Sequence, residues 1–381
     1  MKPALIYSQR FGDYCYGDDH PFKVLRYQLT HALFDELGLL GNERVDVLEC
    51  PVATEEDLLL FHRQDYLERL ADFSASDTPR ADFFYGLGDV ENPVFKGLYD
   101  WARLVCGGTL EAADQVTEGG RRIAFNMAGG WHHAHAARAS GFSYLNDAVI
   151  AIESLVRQGL RVAYVDIDAH HGDGVQEAFY TSDKVLTISL HETGDDFFPH
   201  TGYVREFGRG VGYGYAVNVP FIRHADDRLF RIGFERIALP LLKAYAPDVL
   251  VSQMGVDALR TDPLTRLEMT TASIEFAALE LKRLDLPWVV LGGGGYDKIN
   301  VARAWALLWG ILSEQAVPDL FPSQFVAQAT SLGLPTRRLR DLPHRASDDD
   351  HLRALKALEG NIRLLEEVLF PLHGVTTGAV L

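Results

Sequence analysis

Five short apolar runs constrain the fold of this chain more than any other feature of its sequence. They cover residues 122–127, 161–168, 185–190, 248–255 and 288–292, and glycine, aspartate or histidine lies at the end of each run or just beyond it. Their apolar character is typical of strands that are buried on both faces of a parallel sheet. Helical patterns lie between the runs. The sequence therefore predicts an α/β fold with an open, mostly parallel β-sheet flanked by helices.

Three stretches carry helical spacing. The first is predicted over 21–37, because Pro21 suits the first turn of a helix and Gly38 suits the position just after its end. The second follows Asn146 and stops at Gly159, and the third covers about 270–283. Strands and helices therefore alternate through most of the chain.

The C-terminal part has a different character. We predict a catalytic domain over residues 1–313 and a C-terminal extension over 314–381. Residues 314–350 contain scattered prolines and are predicted to form a loop, whereas the apolar spacing over 351–369 predicts an amphipathic helix. This helix is expected to pack on the body or on a second subunit, so the oligomeric state stays open.

Charge and cysteine content restrict the class of partner and compartment. The chain has 53 acidic and 36 basic residues, a formal net charge of −17. Such a surface repels phosphate backbones and anionic membranes, so we expect neither a nucleic-acid nor a membrane partner. The three cysteines, Cys15, Cys50 and Cys106, show no metal-ligand spacing, and no apolar run suits a signal peptide or a membrane helix. A cytoplasmic protein is expected.

The run Asp-Ile-Asp-Ala-His-His is the most informative motif. Side chains two apart in an extended segment share a face, so Asp166, Asp168 and His170 are predicted to lie together at a strand end. Asp257, just beyond another predicted strand, is the best candidate for a third metal ligand beside Asp168 and His170. Two aspartates and one histidine leave a coordination position open for water and substrate. Zn²⁺ is the default ion, while Fe²⁺, Co²⁺ and Mn²⁺ also suit the ligands.

Two further clusters follow predicted strands. His132 and His133 come after two glycines, and adjacent imidazoles suit proton transfer beside a metal better than joint ligation. Asp166 and Asp173 are available to orient them. Four glycines precede Tyr296, whose phenol suits a developing oxyanion, although a plain turn explains this loop better when it is taken alone.

Taken together, these blocks resemble the histone deacetylase family of class I type, in its bacterial deacetylase-like and acetoin-utilisation branch. The similarity runs over about residues 3–313. The segments that carry it are 19–26, 91–95, 129–133, 141–147, 166–174, 197–199, 255–257 and 292–296. The resemblance implies an arginase-like fold and zinc-dependent hydrolysis of the amide bond of acyl-lysine.

The resemblance also implies roles for individual residues. The implied zinc ligands are Asp168, His170 and Asp257. The implied catalytic groups are His133 as general base and acid, His132 as its electrostatic partner, Asp173 and Asp166 behind them, and Tyr296 as the phenol that polarises the carbonyl. The implied substrate channel has Gly141, Phe142 and Phe198 at its walls and Arg26 at its inner end, where acetate leaves. Two structural K⁺ sites are implied, one near Asp166, Asp168, His170, Ser189 and Leu190, and one near Phe179, Ser182, Val185 and Tyr215.

Three positions depart from the family pattern. Glu91 stands where an aspartate usually holds the substrate backbone, and Ser143 replaces a common cysteine. Leu264 occupies the position of the acidic gatekeeper found in polyamine-selective relatives, which favours an acyl-lysine substrate.

Other functions remain open from the residues alone. The first alternative keeps the chemistry and changes the substrate to acetylpolyamines or other small acyl amines, which the acidic surface slightly favours. The second is a two-metal ureohydrolase such as arginase, although the block at Asp257 holds one aspartate rather than a pair. The third is a non-catalytic acyl-lysine binding protein.

Overall fold

A single parallel β-sheet forms the centre of the molecule in the computed structural model, which describes residues 1–330, 332–333 and 337–376. Its strands are β1 (Ala4–Tyr7), β2 (Asp46–Glu49), β3 (Ile123–Asn126), β4 (Val162–Asp166), β5 (Val185–Glu192), β6 (Ala216–Phe221), β7 (Val249–Gln253) and β8 (Trp288–Leu291). The eight strands lie in the order β2-β1-β3-β8-β7-β4-β5-β6, and neighbouring strands pair in parallel. The predicted α/β fold with a parallel sheet is confirmed.

Helices flank this sheet. They are α1 (Leu25–Glu36), α2 (Glu55–Leu58), α3 (Gln64–Ala75), α4 (Leu98–Thr117), α5 (Asp147–Arg157), α6 (Asp173–Phe179), α7 (Asp227–Gly233), α8 (Leu239–Tyr245), α9 (Thr271–Lys282), α10 (Lys298–Leu312), α11 (Ser323–Thr330) and α12 (Asp348–Leu372). Every residue of each strand except β2 is buried, and successive side chains of a strand point to opposite faces. The sheet is therefore covered on both faces, as the apolar runs predict.

The five predicted strands are all present, whereas the sequence reading missed β1, β2 and β6. Strand β2 alternates between half-buried and exposed residues at the edge of the sheet, so it lacks the continuous apolar character of the others. Strand β6 contains an asparagine and a proline, which weaken the strand signal.

Two predicted boundaries are wrong. Helix α1 begins at Leu25 rather than at residue 21, because the N–H of Phe22 donates to Nδ1 of His20 at 3.1 Å in a loop that precedes the helix. The predicted loop over 314–350 contains α11, which is anchored by the buried Phe325 stacked on Phe321.

The predicted C-terminal helix is present as α12, which is longer than expected. It packs against β6 and α7 of the same chain through an apolar stripe that includes Leu358, Ile362 and Leu365. Arg236 pairs with Glu359 at 2.8 Å and with Glu366 at 2.9 Å beside this stripe. Whether a second subunit also contacts the helix stays a prediction.

Candidate metal centre and active site

The side chains singled out in the sequence converge at the carboxyl ends of four adjacent strands, which we call the active-site edge. In the sheet these strands are neighbours in the order β3-β8-β7-β4. His132 and His133 follow β3, Asp168 and His170 follow β4, and Asp257 and Tyr296 follow β7 and β8 respectively. Parallel strands end at the same edge of a sheet, and residues distant in sequence meet there for that reason.

Asp168, His170 and Asp257 form a buried group suited to a metal ion. One ligand atom from each lies within 4.8 Å of the others. Nδ1 of His170 lies 3.1 Å from Oδ1 of Asp168 and 2.9 Å from Oδ2 of Asp257. Strand β4 ends at Asp166, so Asp168 and His170 lie in the turn that follows the strand rather than in its last extended residues.

The electrostatics of this group favour a cation at its centre. Burial and the neighbouring Asp168 raise the pKa of Asp257 to about 8. Although burial opposes the charged form, Asp168 and Asp257 together raise the pKa of His170 to about 10. Two carboxylates so close in a dry site repel each other unless a positive charge lies between them. The residues present therefore fit a divalent cation.

Two neighbouring groups hold the Asp168 carboxylate. Nε2 of Gln253 donates to Oδ2 of Asp168 at 2.6 Å, and the backbone N–H of Gly294 donates to the same oxygen at 2.8 Å. A Cβ atom at position 294 would lie only 2.3 Å from Asp257 and 2.5 Å from Asp168, so this close approach requires glycine. Gln253 is the last residue of the apolar strand β7, and the sequence did not predict its role because a lone amide carries no motif.

Each histidine of the pair donates to its own aspartate. Nδ1 of His132 lies 2.7 Å from Oδ2 of Asp166, and Nδ1 of His133 lies 2.7 Å from Oδ1 of Asp173. The two Nε2 atoms face each other at 2.9 Å. Both imidazoles therefore carry a proton on Nδ1, and their Nε2 atoms share at most one more proton along this contact.

The surroundings shift the pKa values of the two imidazoles in opposite directions. Although burial opposes its charged form, His132 has a pKa raised to about 9 by Asp166 and Asp168. Burial and the neighbouring His132 lower the pKa of His133 to about 4. One imidazole of the pair is thus suited to hold a proton, and the other to accept one.

Tyr296 completes the ring of polar groups. Its ring contacts those of Phe142 at 5.6 Å and His170 at 6.2 Å between centroids. Burial and the nearby Asp257 raise the pKa of Tyr296 well above its usual range, which keeps the phenol protonated as a donor. The backbone N–H of Tyr296 donates to Oδ2 of Asp262 at 2.7 Å. Asp262 is a second buried residue that the motifs did not reveal.

A cavity of about 340 Å³ opens above these groups. It is lined by Glu91, His133, Gly141, Phe142, His170, Asp196, Phe197, Phe198, His200, Leu264 and Tyr296. Every residue assigned to the channel except Arg26 therefore borders this cavity. Arg26 borders a smaller cavity of about 30 Å³ at the inner end, beside Tyr296 and the histidine pair.

Glu91 borders the channel, and its carboxylate also contacts the backbone of the channel wall. Its carboxylate accepts from the backbone N–H of Gly141, while the amide oxygen of Asn92 accepts from the N–H of Phe142 at 2.9 Å. Phe142 has a φ of 66°, a conformation that is costly for a bulky residue and needs such support. Glu91 and Asn92 together hold this part of the wall.

The residues of the two predicted K⁺ sites also lie in groups. Asp166 and Ser189 are register partners on β4 and β5, with Leu190 next along β5. In the second group, the N–H of Ser182 donates to the carbonyl of Phe179 at 2.9 Å, and Tyr215 hydrogen-bonds to the β5 residue Thr187 at 2.9 Å. Their role as cation sites stays a prediction.

Comparison with known proteins identifies the family. Residues 20–312 match the model of the histone deacetylase domain. The chain belongs to the histone deacetylase family. It is therefore a hydrolase of the deacetylase class, as the sequence resemblance implies.

The relatives of this deacetylase come from eukaryotes and bacteria. The protein is 39% identical over 324 residues to histone deacetylase RPD3 of Saccharomyces cerevisiae, covering 84% of this chain and 74% of that protein. It is 40% identical over 318 residues to the acetoin utilization protein AcuC of Bacillus subtilis, covering 80% of this chain and 81% of that protein. The bacterial branch predicted from the sequence is thus represented among its relatives.

Solved structures agree with the fold of the deacetylase. A crystal structure of a histone deacetylase homolog complexed with SAHA superimposes with a TM-score of 0.88 at 32% identity, over 96% of this chain and 100% of that one. The homolog from Aquifex aeolicus gives the same values. The arginase-like fold is confirmed. Within the described parts of the chain, no helix is long and apolar enough to cross a bilayer.

Proposed function

We propose that this deacetylase hydrolyses the amide of acyl-lysine with a single divalent cation held by Asp168, His170 and Asp257, and that the ion is Zn²⁺. The observation that carries the proposal is the convergence of this ligand group, a histidine pair and a phenol at the base of one aromatic channel. The mixed oxygen and nitrogen ligands also suit Fe²⁺ or Co²⁺. When bound, such an ion polarises a carbonyl and lowers the pKa of water towards ~7.

The histidine pair supplies proton transfer in this proposal. His133 accepts a proton from the attacking water through Nε2, while Asp173 holds its Nδ1–H and so fixes the orientation of the ring. His133 or His132 then returns a proton to the leaving lysine amine. The contact between their Nε2 atoms supports both routes, because a proton on either ring is within reach of the other.

Tyr296 supplies the hydrogen bond to the carbonyl oxygen. Its phenol stays neutral, so it donates to negative charge that develops on this oxygen as water attacks. Phe142 and Phe198 form apolar walls that accept the methylene stem of lysine and exclude water. Both rings lie next to catalytic groups, since Phe142 contacts Tyr296 and the Phe198 ring lies 5.0 Å from that of His133.

Arg26 is placed to meet the released acetate. Its side chain is buried and stacks on Phe22 with 4.3 Å between the guanidinium carbon and the ring centroid, and Nη1 donates to the carbonyl of Gly295 at 3.1 Å. Its Nε atom is buried without a hydrogen-bond partner within the described residues. A buried charged donor of this kind suits a carboxylate product.

The wider setting of the enzyme is also proposed. Residues 1–313 contain all these groups and form the catalytic domain, while residues 314–381 form the extension. We propose a cytoplasmic protein with structural K⁺ at the two sites named above, and an acylated protein or small acylated amine as its substrate. Nucleic acid and membranes are not expected partners of such an acidic chain.

A panel of acyl-lysine peptides and acetylpolyamines, assayed for acetate release with and without chelator, tests the proposal. We expect chelator-sensitive release from acetyl-lysine peptides, restored by Zn²⁺. Turnover confined to acetylpolyamines would favour the small-amine alternative, against which Leu264 stands as an uncharged residue at the channel mouth. Tight peptide binding without release would favour a non-catalytic binding protein.

A further inference from the structure

Asp262 is a buried carboxylate whose hydrogen bonds join two parts of the channel. It is 5% exposed and lies in the loop after β7, outside the proposed metal group. Oδ2 accepts from the backbone N–H of Tyr296 at 2.7 Å, and Oδ1 accepts from the N–H of Leu264 at 3.0 Å. A weaker contact of 3.4 Å joins Oδ2 to the N–H of Asp297. One side chain therefore holds the residue that bears the phenol and a residue of the channel wall.

The chain before Tyr296 has little stiffness of its own. Gly293 and Gly295 have φ values of 95° and 141°, which only glycine adopts readily. The start of this loop is fixed by neighbours, since the N–H of Gly293 donates to the carbonyl of Gly129 at 2.9 Å. At its end, the carboxylate of Asp262 is the acceptor for the Tyr296 backbone. The position of the phenol thus depends on this carboxylate.

The loop that carries Asp262 is itself fixed from behind. The side-chain amide of Asn300 donates to Oγ1 of Thr261 at 2.9 Å, and the amide oxygen of Asn300 accepts from Nε of Arg303 at 3.0 Å. The buried guanidinium of Arg303 reaches the C-terminal extension, where it pairs with Asp341 at 3.0 Å. These contacts allow Asp262 to act as a fixed point rather than to move with the glycine loop.

Burial of a carboxylate is costly, and Asp262 recovers this cost through backbone donors. Its hydrogen bonds within the described residues come from three backbone N–H groups and from no cationic side chain. A buried carboxylate that serves only stability is usually paired with a cationic side chain. A carboxylate that accepts from backbone N–H groups instead fixes the path of the main chain. The arrangement therefore suits the positioning of main-chain segments.

We propose that Asp262 is a positioning residue for the reaction. It holds the phenol of Tyr296 and the channel wall at Leu264 in the correct position relative to the metal group. The inference rests on the proposed function, because it assigns Asp262 a task in that chemistry. An error of about 1 Å in the position of a catalytic group costs on the order of 10²-fold in rate. Loss of the carboxylate is thus expected to act on kcat far more than on KM.

The test is a double-mutant cycle of Asp262→Asn with Tyr296→Phe, measured by acetate release from an acetyl-lysine peptide with Zn²⁺ present. The NH₂ group of asparagine replaces one of the two carboxylate oxygens, so a donor then faces the N–H of Leu264 or the N–H groups of Tyr296 and Asp297. We expect Asp262→Asn to lower kcat roughly 10- to 100-fold in the wild-type background, with KM changed less than about threefold. In the Tyr296→Phe background, the same substitution should lower kcat less than about threefold, since the phenol through which it acts is absent.

Asp227→Asn is the matched control. Asp227 also accepts from a backbone N–H, that of Thr270 at 2.8 Å, but it is the first residue of α7 and borders neither cavity of the active site. We expect it to lower thermal stability and leave kcat unchanged. If Asp262→Asn does not fold, Asp262→Glu, which keeps the charge but displaces its oxygens, takes its place in the cycle with the same expected coupling.

Additive losses in the cycle, with an active wild-type enzyme, would overturn the positioning role and leave the proposed function standing. A loss confined to KM would also overturn it. If the wild-type protein shows no chelator-sensitive turnover, the proposed function fails and this inference fails with it. These results can be told apart because the wild-type assay tests the proposed function first, and the cycle then tests the positioning role alone.

Discussion

The active-site edge and helix α12 of the C-terminal extension place their charged groups in opposite environments. Asp166, Asp168 and Asp257 are at most 1% exposed, whereas Arg236 and Glu359, which join α12 to the body, have side chains 31% and 32% exposed. Burying charges costs several kcal/mol per ion even in paired arrangements, and exposed pairs contribute little. The comparison indicates that the charges of the edge are kept for chemistry, while α12 is held mainly by apolar packing.

This contrast leads to separable effects. Substitutions at the active-site edge should change turnover far more than folding, and substitutions in the extension should do the reverse. The comparison would fail if substitutions at the edge mainly changed folding, or if substitutions in the extension mainly changed turnover.

Tyr296→Phe should have the largest effect on turnover among these tests. It removes one donor to the developing oxyanion, so kcat for an acetyl-lysine peptide should fall roughly 10²- to 10³-fold. The ring remains to pack against Phe142, and thermal unfolding should stay close to wild type. A fall of less than about fivefold would remove the phenol from the mechanism.

Leu365→Ala should be the largest effect on stability. Leu365 lies on the buried face of α12, and truncation of such a residue costs about 2–5 kcal/mol of unfolding free energy, measurable by urea denaturation. Leu352→Ala, on the same helix but 65% exposed, is the control and should change stability by less than about 0.5 kcal/mol. Turnover of the folded enzyme should be unchanged in both. A loss of kcat in folded Leu365→Ala would couple the extension to the chemistry.

Acid should loosen the extension. Glu268 accepts from His224 at 2.7 Å and from His344 of the extension at 2.6 Å. Partial burial opposes ionisation, but these two bonds lower the pKa of Glu268 below its usual value. A depressed carboxyl pKa stabilises the folded state above the unfolded pKa of ~4.3 and loses this contribution as pH falls through the folded value.

Hydrogen exchange around His344, corrected for intrinsic rates, should therefore show protection at about pH 5 that becomes weaker below about 4. Glu268→Gln should show the weaker protection already at pH 7 and little further dependence on acid. Protection that increases as pH falls from about 5 to 3 would contradict the assignment.

Arg236→Gln should have the smallest effect. The arginine pairs with two glutamates of α12, yet all three side chains are partly exposed. We expect a loss of about 1 kcal/mol or less in unfolding free energy, decreasing further at high salt. A loss above about 2 kcal/mol would show that charge rather than apolar packing holds the helix.

The sequence predicts some residues of the site and not others. The ligand group was predictable because Asp168, His170 and Asp257 lie beyond apolar runs, and parallel strands end at one edge. Asp262 and Gln253 were not, because their roles depend on contacts with backbone and side chains from other strands. Asp262 before Pro263 indicates a turn, but the sequence does not show which backbone groups the carboxylate of Asp262 binds.

The fold shows the same limit. Strands buried on both faces leave a continuous apolar signal, whereas the edge strand β2 and the proline-containing β6 do not. Helix α11 was not predicted because the prolines around it indicated a loop, although Phe325 anchors the helix to the body. The role of Glu91 also required coordinates, since only they show its carboxylate turned towards the N–H of Gly141.

The proposed enzyme depends on one divalent ion that two aspartates and a histidine hold jointly. Elemental analysis of wild-type protein and Asp257→Ala, purified in parallel with Asp227→Asn as a control, tests it most directly. We expect about one zinc per chain in the wild type and the control, and close to none in Asp257→Ala, with acetate release lost in step. Two divalent ions per wild-type chain, or an Asp257→Ala protein that keeps its divalent ion and its chelator-sensitive turnover, would contradict the account.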